Sequence, residues 1–349
     1  MPASTAKHTV VRVPGALYDE LYVRAELAAG SGAAAVEALL RAVEDEHGAA
    51  VVRATVSGPL GSRVRDARVV TIGPGSGSGV AVEIVAVAPG PEIAVTRVDA
   101  GTTLLETVDG ASVRRLVHVV PEPAGPGPQA QLRSIFDGVE DVLGASGMSP
   151  SHLVRTWYFL RDIGTTYRHL NDARDEAFDR WGLRHLPAST GIGAELPHPA
   201  TWCAAVVEAI AHDGAPVATP FETDLQRPPV QYGPRFARAN LVEHNGLRTV
   251  NVSGISAIDE AGRSVRVADR DDAVVRALDG FEDLLQRAGM TPTDLCSVSA
   301  YSVDERVREA FVRIAGRRGW TVSVLHNTAA VCRPDLVFEV EGRAVRRAP

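Results

Sequence analysis

Lysine is almost missing from this chain: of its 36 basic residues, only Lys7 is lysine. Schiff-base catalysis and a phosphate-binding P-loop each need a positioned lysine, so neither is expected. Cysteine is also scarce. Cys203, Cys296 and Cys332 are far apart and odd in number, with no CxxC. That pattern supports neither a disulfide framework nor a cysteine zinc site, and it fits a reduced cytoplasmic setting. The histidines form no HExxH or HxH cluster, so neither a metal nor a cofactor is expected. There is no run of about 18 apolar residues and no charged-then-apolar leader, so neither a spanning helix nor export is expected. An excess of positive charge is lacking too: 36 basic against 43 acidic residues gives a net charge of −7. Neither a nucleic acid nor a membrane is therefore an expected partner.

What is present is ordinary globular material, 349 residues with 45% hydrophobic and 23% charged. At roughly 100–200 residues per domain, that length allows two or three domains. An internal repeat refines the estimate. Asp137-Gly138-Val139-Glu140-Asp141-Val142-Leu143 matches Asp279-Gly280-Phe281-Glu282-Asp283-Leu284-Leu285 at an offset of 142, and both run into Gly-Met-Ser/Thr-Pro. The spacing of Leu132, Ile135, Phe136, Val139, Val142 and Leu143, and of Val274, Leu278, Phe281 and Leu285, predicts one buried face on each of two helices. A glycine followed three residues later by proline ends each helix.

Each helix is followed by a strand-like run (154–160; 297–303). A second amphipathic helix comes next, carrying Tyr167, Leu170, Phe178 and Trp181 in one copy and Val307, Phe311 and Ile314 in the other. A strand and loop follow (187–195; 321–330), then a β-rich run (204–208; 335–339) that ends in an acid. A looser third copy at the N-terminus has a helix with Val36, Leu39, Leu40 and Val43 and a strand over 80–85. It lacks the second helix, with only 61–67 in its place. The acids Glu83, Glu208 and Glu339, spaced by 125 and 131 residues, read as an aligned set. Pro121–Pro128 reads as a connection before the second unit's helix, and Pro216–Pro229 as the linker to the third unit. The glycine run 73–79 has no Lys-Ser/Thr after it and precedes a strand, so it reads as a flexible loop.

The expected fold is α+β: tandem units over 1–95, 96–222 and 223–349, each a mixed sheet with helices on one face. Packed as an intramolecular pseudo-trimer, the units would form clefts at their interfaces, where ligands usually bind.

Several stretches resemble the chorismatases, enzymes of the YjgF/RidA-like fold that hydrolyse chorismate to pyruvate and a cyclohexadiene or hydroxybenzoate. These are Pro187-Ala188-Ser189-Thr190-Gly191-Ile192-Gly193, the run from Val331 to Glu341, Arg155 to Ile163, Tyr167…Asn171…Arg174…Phe178, and Tyr232 to Ala239. The resemblance covers about 150 to 345. The family's glycine-threonine-alanine-serine-isoleucine stretch, followed by glycine-histidine, reads here Gly254 to Glu260 without the histidine.

Hydrolysing a vinyl ether requires a proton on its terminal methylene carbon, and therefore a carboxyl kept protonated by apolar surroundings. Glu339, after Leu336-Val337-Phe338, fits this requirement, and the resemblance implies the catalytic acid at this position. Glu341, two residues on and on the same strand face, competes for the role. The resemblance also implies a part for Cys332 in forming 3-hydroxybenzoate and a product-determining position at Ala239. A dianionic substrate calls for arginine forks, and the candidates on matched motifs are Arg161, Arg174 and Arg238. Tyr158 and Tyr232 are candidate hydrogen-bonding phenols, and Thr190, Gly191 and Ile192 a loop facing the ligand. His326 and Cys332, six residues apart, are weighed as a nucleophile pair.

The leading expectation is a chorismatase-type hydrolase or lyase acting on a small anionic, chorismate-like molecule as a monomer, in secondary metabolism. Two alternatives stand beside it. One is a RidA-like imine/enamine deaminase, whose carboxylate-binding Pro-Ala-Arg-Thr loop reads Pro187-Ala188-Ser189-Thr190 here. The other is a repurposed member that binds or acts on another small acid.

Overall fold

The computed structural model of the protein describes residues 8–60, 63–73, 79–109, 112–265 and 269–348. Lys7, most of the 73–79 glycine run and part of 61–67 lie outside them. The strands sort into three sheets. The first holds β1 (His8–Val13), β2 (Tyr18–Leu27), β3 (Ala50–Ser57), β4 (Val69–Thr71) and β5 (Val80–Pro89), covered by α1 (Ala33–His47). The second holds β6 (Ile93–Arg97), β7 (Thr102–Thr107), β8 (Val113–Val120), β9 (Leu153–Leu160), β10 (Ala188–Gly193), β11 (Cys203–His212) and β12 (Ala215–Pro216), with α2 (Gly127–Ala145) and α3 (Ile163–Arg180). The third holds β13 (Ala218–Phe221), β14 (Ala239–His244), β15 (Leu247–Ile255), β16 (Leu295–Ser302), β17 (Val324–Thr328) and β18 (Phe338–Arg347), with α4 (Arg270–Arg287) and α5 (Glu305–Arg317).

One strand order recurs: β1-β2-β5-β3-β4, then β7-β8-β11-β9-β10, then β14-β15-β18-β16-β17. In each sheet the strand that follows the parallel edge strand (β5, β11 or β18) runs antiparallel between two earlier ones, and a parallel pair closes one edge. The chain is thus an α+β array of tandem YjgF-like units. Among the described residues no helix lies between β3 and β4, so the first unit lacks its second helix.

The helices form where an apolar stripe repeats at helical spacing. Leu132, Ile135, Phe136, Val139, Val142 and Leu143 are buried on α2, and Val274, Leu278, Phe281 and Leu285 on α4. Gly147 and Gly289, at φ +65° and +70°, take the left-handed turn after these helices. Burying a side chain such as Phe281, fully enclosed, stabilises the fold by about 1.5–3 kcal/mol. The helix-free faces of all three sheets meet in one central core that includes Tyr22, Trp157, Phe159, Tyr301 and Val345.

Buried charges also join the sheets. Arg115 binds Glu20 (2.6 Å) and Glu208 (2.7 Å), Arg343 pairs with Glu208, and Ser297 donates to Glu83 (2.8 Å). β3, β9 and β16 each carry a bulge against the central strand β5, β11 or β18, with Val52, Val154 and Cys296 as the extra residues. Counted from these bulges, Val85, Glu208 and Arg343 share one rung. The acids Glu83, Glu208 and Glu339 therefore stand at three different rungs, and the partner of Glu83 by position is Glu341. Two further expectations are corrected. Asp335–Val337 lies outside β18, which begins at Phe338, and the Pro216–Pro229 linker contains an edge strand, β13.

Candidate active site

The closing edge of the second sheet docks against the third. Ala188 of β10 pairs with Ala237, the Ser189 N–H donates to Ser253 Oγ (2.8 Å), and the Gly193 N–H donates to the Ala330 carbonyl (2.9 Å). Beside this seam lies a cavity of about 280 Å³, walled by α3 and β10 on one side and by β15, β18 and the 332–333 loop on the other.

Glu339 lies at the floor of the cavity, 4% exposed. Burial pushes its carboxyl up to about 7. Ser256 Oγ, donating to Glu339 Oε2 at 3.1 Å, and the charges of Arg238 and Arg155 oppose the shift, while Glu341 adds to it. Gly254 leaves the space that this carboxyl occupies: a Cβ there would overlap it, lying 2.7 Å from Glu339 Cδ. Cys332 lines the same cavity, and burial followed by the charge of Glu339 pushes its thiol up to about 12. It is a neutral thiol, not a thiolate nucleophile.

Glu341 is held differently. It pairs with Arg155 and accepts from Trp157 Nε1 (2.8 Å), Thr190 Oγ1 (2.6 Å) and Tyr301 OH (3.0 Å).

Two arginines bring positive charge into the cavity wall. Arg174 is 2% exposed and donates to Asn171 Oδ1 (2.5 Å). Arg238 is 1% exposed and donates to Tyr232 OH (2.8 Å) and the Arg227 carbonyl (3.2 Å). Their Nε atoms make no hydrogen bond. Both guanidinium carbons lie within 5.8 Å of the Phe236 ring centre, a cation–π arrangement that fixes them side by side. Arg333 lies over Tyr232 at 5.3 Å and adds a third guanidinium.

Of the residues singled out from sequence, Glu339, Cys332, Arg174, Arg238, Tyr232 and Gly191 line this cavity. Five others do not. Alternation along β10 turns Ser189 and Gly191 to the cavity, and Thr190 and Ile192 away from it, Thr190 onto Glu341 and Ile192 into the central core. Tyr158 packs beneath α2 and α3, 5.8 Å from Phe136. Ala239 is enclosed under the helices of the third sheet. The Arg161 guanidinium is occupied by the carbonyls of Thr201, Leu196 and His198, which fixes the loop before β11. His326 lines a different cavity from Cys332, so the two do not form a pair. Sequence reasoning missed Ser256, Phe236, Gly254 and Arg333. Arg333, next to Cys332, and Asn171, one helical turn before Arg174, carried signals that could have found them. Away from this site, His8, Glu46 and His47 bring one donor atom each within 4.8 Å of one another, with His8 in the edge strand and the other two at the end of α1.

No protein-family model and no curated protein matches the chain. Among solved structures it is similar to a chorismatase, with 21% identity and a TM-score of 0.66 over 84% of this chain and 92% of that one. The YjgF gene product of E. coli is 19% identical over 37% of this chain and 99% of its own (TM-score 0.29), and E. coli TdcF with bound serine is 20% identical over 37% and 98% (TM-score 0.29). The chain has the chorismatase-like fold. Among the described residues no helix is long and apolar enough to cross a membrane.

Proposed function

We propose that the protein, as a monomer, hydrolyses the enolpyruvyl ether of a chorismate-like dianion in this cavity. The observation that supports this reading most strongly is the buried carboxyl of Glu339, raised to about 7 beside converging arginines. A general acid with a pKa near the working pH holds its proton and still delivers it.

Glu339 donates its proton to the terminal methylene carbon, and the ether oxygen stabilises the resulting cation. Water adds to that cation. The hemiketal then collapses to pyruvate and a ring alcohol, and the proton released when water adds returns to the carboxylate. Arg174, Arg238 and Arg333 hold the substrate carboxylates. That negative charge, next to Glu339, favours its protonated form further. The neutral thiol of Cys332 borders the same space, and loss of one ring hydroxyl with a ring proton, as water, from the dihydroxycyclohexadiene product would aromatise it to 3-hydroxybenzoate. The deaminase reading loses ground because Ser189 stands where that group carries its arginine. Incubating the pure protein with chorismate and following pyruvate tests the proposal: release supports it, and ammonia release from an enamine without pyruvate would replace it.

A further inference from the structure

The repeated strand order that builds the candidate active site between the second and third sheets also builds a counterpart between the third and the first. There β17 replaces β10, α5 replaces α3, β2 replaces β15 and β5 replaces β18. The counterpart encloses about 490 Å³. Counted from the bulges, His326 stands at the position of Gly191, and Ala81 at the position of Glu339. The cleft thus has an alanine where the other cavity has its acid.

Part of its polar lining is unsatisfied. Arg24 Nη1, Ser57 Oγ and His326 Nδ1 make no hydrogen bond, although Arg24 is nine-tenths buried and Ser57 is 1% exposed. Leaving such groups unpaired is unfavourable, and a polar ligand in the cleft would relieve it. Of the charged residues that line the cleft two are arginines, Arg24 and Arg308, and one is an acid, Glu26, while Glu83 behind the wall is shared between Arg24 and Arg53. Arg308 of α5 adds a guanidinium whose Nε and Nη2 are paired with Glu305, and Glu26 on the rim is exposed. Burial, Arg308 and Arg24 together push His326 down to about 4, so its ring is neutral. Leu27, Val80 and Val324 supply an apolar wall.

We infer that this cleft is a second, non-catalytic binding site for a small organic monocarboxylate, its carboxylate on Arg24 and Arg308 and its apolar body on the Leu27–Val324 side. An arginine-lined mouth with an apolar wall recognises that chemistry. The inference does not depend on the activity proposed above.

Benzoate is the probe. It would be titrated into the full-length protein while the His326 ring resonance, assigned with His326→Gln, is followed by NMR. A saturable shift is expected in the wild type and in Arg333→Glu, which alters the other cavity. It should need at least tenfold more benzoate in Arg308→Glu, an exchange at a partly exposed position. The inference is overturned if the His326 resonance shows no saturable change, if Arg308→Glu leaves the titration unaltered, or if Arg333→Glu abolishes it.

Discussion

Glu339 and Glu341 stand two residues apart on one face of β18, and their surroundings are opposite. Glu341 accepts four hydrogen bonds, one from the guanidinium of Arg155, whereas Glu339 accepts one, from Ser256. The side chain with few partners is the one that burial drives towards its protonated form. The well-held one ties the second sheet to the third.

The structural role of Glu341 has a measurable cost. Glu341→Gln leaves the Arg155 guanidinium buried without its counter-charge, and losing one partner of such a pair typically costs about 3–5 kcal/mol. A urea midpoint well below that of the wild type is expected at pH 7. An unchanged midpoint would remove Glu341 from the framework.

Stability should follow pH through Glu339. Its carboxyl titrates near 7 when folded and near 4.5 when unfolded, so the folded state holds the proton more tightly. Its contribution is fully present below about pH 4.5 and is lost as pH rises through about 7. The difference is on the order of 3 kcal/mol. Glu339→Gln should abolish that loss, so the variant should be more stable than the wild type at pH 8. The kcat/KM for pyruvate release should fall about tenfold per pH unit above the same point. Glu222, which burial also pushes up to about 7, titrates in this window, so Glu222→Gln serves as the control. The fall should persist in it.

Gly254→Ala places a methyl group in the volume of the Glu339 carboxyl. Overpacking of this kind costs about 1–3 kcal/mol, and the carboxyl has to turn to relieve it. A loss of more than tenfold in kcat is expected with the fold retained by circular dichroism. Wild-type turnover would show that the carboxyl does not need its present position.

Arg333 is partly exposed and can be removed without opening the core. Arg333→Ala should raise KM by about 10–100-fold, the equivalent of one charge-assisted hydrogen bond, with a smaller effect on kcat. An effect confined to kcat would assign Arg333 a different part.

The three-unit plan was legible because a helix that buries one face must repeat apolar residues every three or four positions, and α2 and α4 do so in the same words. The burial of the Glu339 carboxyl was legible from the apolar residues before it, whereas its assignment as the acid came from the chorismatase resemblance. The facing of β10 was not. A strand buried on both sides carries no polar alternation, so Thr190 and Ile192 could not be told from Ser189 and Gly191. The misplaced alignment of Glu83, Glu208 and Glu339 has a different origin: the units differ in the length of their connections, so near-equal spacing along the chain does not fix the rung at which an acid stands. Arg161 matched a motif, but whether its guanidinium is free depends on carbonyls 35–40 residues away. The need for glycine at 254 arises only when β15 and β18 lie side by side.

Pyruvate release from chorismate by the wild type and by Glu339→Gln, compared at pH 6.5, bears most directly on the catalytic acid. The wild type should release pyruvate, and the variant, folded and at least as stable, should be slower by about 10²–10⁴-fold, the range for losing a general acid. A Glu339→Gln protein that released pyruvate at the wild-type rate would contradict the assignment of this carboxyl as the proton donor.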